Sequence, residues 1–238
     1  MKYVLASASP RRRELIRLLG FQWEILAANI DEDSIHHTDP TVDVMHTALH
    51  KARAVATTVA QMAVIVGADT TVILDDRKLD KPSDIDEARD MLRILRGREH
   101  QVHTGLAIIR VPEWEAVLDV ATMSVPMRAY SDSELELYLA SGDPLDKAGA
   151  YAIQHPDFRP VIDFQDCYAG VIGLPLCHLT RALRAIGISV PVDTATVCQL
   201  SLDYPCPVFE RILIAEPKIP KAAVEPGSHS LGPTSDLA

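Results

Sequence analysis

Apolar residues fall along this chain in two alternating rhythms, short continuous runs and stripes at helical spacing. Lys2 to Ala6 (KYVLA) and Met62 to Ala68 (MAVIVGA) are runs of strand length. The second is apolar at nearly every position, the pattern of a central strand covered on both faces. Trp23 to Ala27, Val102 to Val111 and Ala116 to Pro126 predict further strands, and Val161 to Leu174 one or two more. Between them lie helical stripes. Leu15, Leu18 and Leu19 follow Pro10 and stop at Gly20; Ile85, Ala88, Met91, Leu92 and Leu95 stop at Gly97; His178 to Ile186 stops at Gly187. Val42 to Ala60, rich in small residues, predicts another helix. Ser83 with Asp86 and Ser131 with Glu134 have capping-box spacing, the second opening a helix that ends at Gly142. Asp75 to Lys78 predicts a hairpin turn. Strands alternating with helices, with some strand-to-strand turns, predict an α/β protein with a mixed sheet.

The rhythm breaks after Gly187. Seven of the sixteen prolines lie beyond it, and proline neither continues a helix nor donates within a sheet. The expected organisation is one domain over residues 1–187 and a proline-rich appendage over residues 188–238. Residues 190–219 read as irregular, with Phe209, Ile212, Leu213 and Ile214 available to dock part of them. The closing EPGSHSLGPTSDLA reads as disordered, so trimming after Ile219 is expected to leave stability nearly intact.

Composition narrows the partners. Aromatics are only 5% of the chain and the net charge is −10, which argues against nucleic acid while leaving room for a local basic pocket. No run approaches the length of a membrane span, and the four cysteines form no C-x-x-C pair. A soluble, reduced, cytoplasmic protein is the expectation.

The chemistry concentrates in Ser7-Ala8-Ser9-Pro10-Arg11-Arg12-Arg13. Three arginines occupy the first turn of a helix, where the positive end of the dipole disfavours cations. An anion held there by backbone N–H groups, serine hydroxyls and guanidinium groups resolves that conflict. Asp69, directly after the apolar run, is expected at the carboxyl edge of the sheet, where such proteins bind ligands. A carboxylate there can hold Mg²⁺ or Mn²⁺ or take a proton from water. Lys51 and Lys81 complete the basic set.

LASASPRRRELI, IDED (Ile30 to Asp33), HKARAVA, VGADTTVIL, DKP (Asp80 to Pro82), EARDMLRILRGREHQVHTG, DKAGAYAIQ (Asp146 to Gln154) and GLPL (Gly173 to Leu176) resemble, in order, the motifs of the Maf family of nucleoside triphosphate pyrophosphatases. The resemblance runs from about Lys2 to Gly187. It implies a single elongated domain with a twisted mixed sheet flanked by helices, and a cleft at the sheet's carboxyl edge. It implies that Asp69 is the catalytic acidic residue, and that Ser9, Arg11, Arg12, Lys51, Lys81 and Lys147 bind phosphate. Glu32 and Asp69 are the candidate metal ligands for a divalent cation (Mg²⁺, Mn²⁺ or Co²⁺), with Asp69 open between that role and general base. Arg12, Thr70 and Gln154 occupy the positions tied to substrate choice, and AGAYAIQ is similar to the branch acting on dTTP and UTP. A homodimer is the family-level expectation. One departure stands out: the chain continues IQHPDFRP, without the family's usual glycine after Gln.

Two rival readings remain, one from the histidines and one from the family's association with septum formation. His46 and His50 have the helical spacing of a zinc protease, but Thr47 stands where such an enzyme needs Glu. Solvated histidines are the simpler account of His36, His37, His46 and His50. A nucleotide-binding regulator of cell division without turnover is the second, and a pyrophosphate-release assay separates it from an enzyme.

Overall fold

A computed structural model describes residues 1–225. Its centre is a seven-stranded mixed sheet of β1 (Lys2–Leu5), β2 (Trp23–Ile25), β3 (Ala63–Leu74), β4 (Arg77–Leu79), β5 (Glu99–Val111), β6 (Glu115–Pro126) and β7 (Ile219–Ala223). The strand order is β2-β1-β3-β5-β6-β7, with β4 paired to β3. β1 runs parallel to both β2 and β3; the remaining pairs are antiparallel. Helices cover both faces, so the expected α/β architecture is observed.

One face of the sheet carries α2 (Pro40–Ala56), which packs on Ile65, Ala107 and Ile109. Two glycines let it approach closely. A Cβ at Gly67 would lie 2.1 Å from the Ala48 carbonyl oxygen, and one at Gly105 would lie 2.4 Å from the Val44 carbonyl. The larger core fills the other face, under α1 (Pro10–Arg17), α3 (Ile85–Leu95), α4 (Asp132–Ala140), α5 (Tyr168–Ile172) and α6 (Leu176–Ala185).

Local signals placed most helix ends. Ser9 caps α1 with Pro10 at its first position, and Ser131 and Glu134 form both halves of a capping box on α4. Gly97, Gly142 and Gly187 take positive φ where the stripes stop. Asp75 and Asp76, both at positive φ, make the β3–β4 turn.

Four expectations are corrected. The cap of α3 is Asp84, which accepts from the Glu87 amide, while Ser83 binds the Glu87 carboxylate; the box is shifted by one residue from the Ser83–Asp86 reading. Val161 to Leu174 holds no named strand, only a bridge from Val161 to Met127 and the short helix α5. Its apolar residues are buried one by one rather than in alternation. Residues 190–219 are not irregular: they form α7 (Thr194–Leu202) and α8 (Phe209–Ile214) and begin β7. Ile212 is buried and Phe209 and Leu213 pack on the core, whereas Ile214 is exposed. Finally, β7 joins the sheet beside β6, so residues 220–224 are paired and packed rather than loose, against the expectation for a cut after Ile219. The disorder expected at the C-terminus falls almost wholly on residues 226–238, outside the described residues.

Candidate active site

β3 does not stop at Ala68, as its apolar run suggested, but continues to Leu74 with Asp69 inside it. The edge that matters belongs to β1. Leu5 pairs with Val66 and the Ala6 amide donates to the Val66 carbonyl at 2.8 Å; then β1 leaves the sheet. β4 rejoins β3 only at Val72. Residues 67–71 of β3 therefore face a gap at the carboxyl end of β1, and a cleft of about 410 Å³ opens there. Ser9, Arg11, Arg12, Glu32, Lys51, Asp69, Thr70, Lys81, Lys147 and Gln154 all line it. Residues spread over 146 positions of sequence are thus brought to one wall-to-wall site.

Strand alternation sorts this cleft into two halves, because neighbouring side chains of β3 point to opposite faces. Asp69 points to the α2 side. Lys51, one turn beyond the Ala48 contact, reaches it with Nζ 2.8 Å from Asp69 Oδ1 and 2.7 Å from Glu32 Oε2. The lysine and Asp69 are largely buried, with side chains 10% and 15% exposed, whereas Glu32 is 55% exposed. Thr70 points to the other side, where Val72, Val102, Val171 and Ile172 give the cleft an apolar wall.

Arg12 stands between the halves. It donates through Nη1 to the Ala68 carbonyl at 2.8 Å, through Nε to the Gly173 carbonyl at 2.9 Å, and through Nη2 to Thr70 Oγ1 at 3.0 Å. The guanidinium occupies the place on the β3 ladder that β1 has vacated, and it ties α1 to the C-terminal end of α5. Gly173 is required there: its φ is +115°, and a Cβ would press on Thr70 and Arg12 at 3.2 and 3.3 Å. Burial lowers the pKa of Arg12, and the Asp69 and Glu32 carboxylates oppose that shift.

The other cations differ in how free they are. Lys81 is exposed and has no ion-pair partner among the described residues. Arg11 has a single ion pair, with Asp146 at 3.7 Å. Lys147 is buried, and its ammonium is engaged by the Asp143 carbonyl and carboxylate, both at 2.7 Å, and by Asp146. Gln154 is exposed on the cleft wall. Beyond it, the unusual His155-Pro156 is absorbed by a turn in which the Phe158 amide donates to His155 Nδ1 at 3.0 Å. Tyr138 stacks on Phe158 and meets His155 edge-on, with ring centroids 4.3 and 4.8 Å away.

Sequence reasoning missed Thr104, which is fully buried on β5 directly opposite Thr70 and bonded to it at 3.0 Å. Its signals were a polar residue inside the apolar run Val102–Val111 and its place near the end of the segment EARDMLRILRGREHQVHTG. It also missed Asp146 as the shared partner of Arg11 and Lys147. His37 and His46 meet edge-on, with ring centroids 4.2 Å apart and planes inclined by 60°. Among the described residues, no group of three or more His, Cys, Asp or Glu side chains has a geometry that could hold a metal ion.

A vacated strand edge, with a helix N-terminus, several cations and a lysine-bridged carboxylate pair on one cleft, defines an α/β protein whose cleft suits a polyanionic ligand. The chain belongs to the Maf-like protein family, whose model matches residues 2–186. It is 42% identical over 189 residues to the dTTP/UTP pyrophosphatase of Moorella thermoacetica, covering 79% of this chain and 97% of that protein. The dTTP/UTP pyrophosphatase of Thermomicrobium roseum is 42% identical over 217 residues, covering 89% of this chain and 98% of the relative. This second match extends past residue 186, so part of the C-terminal segment has a counterpart there. No helix among the described residues is long and apolar enough to cross a membrane.

Proposed function

We propose that the protein hydrolyses dTTP and UTP to the monophosphate and pyrophosphate by attack of water on the α-phosphorus. The observation that carries this reading is Asp69, bridged through the Lys51 ammonium to Glu32, in the same cleft as a set of cations and an apolar wall. The triphosphate suits the half with Arg11, Lys81 and the N-terminus of α1, and the base suits the half with Thr70 and Gln154. Lys51 and Lys81 stabilise the charge that builds on the leaving pyrophosphate. Asp69 takes the proton from the attacking water or holds the cation that polarises it; either role needs its carboxylate ionised.

The residues fit a divalent cation of the Mg²⁺ type. Glu32 and Asp69 converge on a single positive charge, and hard carboxylate oxygens are what such an ion takes. With only two protein carboxylates, its other ligands would be substrate oxygens and water, as is common for Mg²⁺. Once bound, the ion supplies charge neutralisation and activates water. A reducing cytoplasm agrees with the four free cysteines.

Purified protein offered UTP, dTTP, CTP and GTP with Mg²⁺, Mn²⁺ or Co²⁺ tests the proposal by pyrophosphate release. Turnover of UTP and dTTP, with CTP slower by roughly tenfold to a hundredfold, is the expected result. Nucleotide binding without pyrophosphate release would instead identify a regulator.

A further inference from the structure

The hydrogen bonds around Thr70 run in one direction only. Arg12 Nη2 lies 3.0 Å from Thr70 Oγ1, Thr70 Oγ1 lies 3.0 Å from Thr104 Oγ1, and Thr104 Oγ1 lies 2.9 Å from the Gly170 carbonyl oxygen. A guanidinium can only donate and a carbonyl can only accept. The Thr104 proton therefore lies on Gly170, since two bare oxygens 2.9 Å apart would set lone pairs against each other. With that proton committed, Thr104 can only accept from Thr70. Thr70 in turn gives its own proton to Thr104 and spends one lone pair on Arg12.

What remains on Thr70 is one lone pair, on a side chain that lines the apolar half of the cleft. We propose that Thr104 is a positioning residue that makes Thr70 an acceptor-only group, so that this wall selects a base whose ring N3 carries a proton. This deepens the pyrimidine reading and rests on it. Uracil and thymine offer N3–H to such an acceptor. Cytosine offers a lone pair at N3 and meets a second lone pair. Full burial of Thr104 strengthens the effect, because no water can take its place in the chain.

Thr104→Val keeps the shape and removes the hydroxyl. The Gly170 carbonyl stays satisfied through the Gly173 amide at 3.0 Å, so the variant leaves no orphaned acceptor there. The Thr70 proton is then free to turn into the cleft and meet cytosine N3. The measurement is kcat/KM for UTP and CTP in wild type, Thr104→Val and Thr104→Ser. The expected result is a UTP:CTP ratio about tenfold lower in the valine variant and restored by serine. If valine does not fold, Thr104→Ala makes the same comparison. Equal loss on both nucleotides, with the ratio intact, overturns the proposal and leaves Thr104 a packing residue. So does a wild type that does not discriminate. Failure of the wild type to hydrolyse UTP at all would refute the hydrolase reading instead.

Discussion

Asp69→Asn isolates the carboxylate from everything else that Asp69 does. Asparagine has the same shape, and its amide oxygen can still accept from Lys51, now at 2.8 Å from Asp69 Oδ1. The charge-assisted bond becomes an ordinary one, a loss of about 1 kcal/mol. In a protein of this size that lowers the melting temperature by about 2–4 °C. Lys51 also retains Glu32 at 2.7 Å, so the local structure should survive. The catalytic effect is much larger. Loss of a general base, or of one of two carboxylate ligands, should lower turnover at least about a hundredfold. Pyrophosphate release and circular dichroism melting on the same preparation separate the two effects. A metal titration then distinguishes the roles: a higher ion concentration for half-maximal activity assigns Asp69 as ligand, and an unchanged one as base. Turnover within a few-fold of wild type would remove Asp69 from the mechanism.

Ending the chain after Ile219 removes the rest of β7, the buried Ala222 and Val224, and the Val224 amide bond to Trp114. The expected loss is about 2–4 kcal/mol, or roughly 5–15 °C in melting temperature; an unchanged melt would show that β7 contributes nothing. His100 is buried against the Tyr151 hydroxyl at 2.8 Å, and burial lowers its pKa to about 4. Because the unfolded chain binds that proton near pH 6.5, stability should be complete above that pH and fall on acidification towards pH 4, by about 3 kcal/mol from this residue alone. Denaturant titrations between pH 7 and pH 4 should give a shallower slope for His100→Gln, and an unaltered slope would refute the assignment.

Much of this protein is legible without its structure because the relevant physics is local. Apolar runs and stripes located β1, β3, β5 and β6 and the helices over Pro10–Arg17, Pro40–Ala56, Ile85–Leu95 and Leu176–Ala185. Hydroxyl caps and glycines at positive φ set most of their ends. Three arginines at a helix start marked an anion site because the dipole makes them costly there without one. Residues without a period of their own were misread. Val161 to Leu174 is buried by its surroundings rather than by alternation, and the prolines after Gly187 hid α7, α8 and β7, which hold their conformation by packing on a body already formed.

Tertiary structure alone decided how the site residues divide. Nothing in GADTT shows that Asp69 and Thr70 serve opposite walls of one cleft; that follows from β3 continuing past the end of β1. Nor does the chain show that Lys147 is already neutralised while Lys81 has no ion-pair partner among the described residues, or that Arg12 replaces a missing strand. Hydrogen-bond direction is the clearest case. Thr70 and Thr104 are 34 residues apart, and only strand register sets them face to face between an obligate donor and an obligate acceptor.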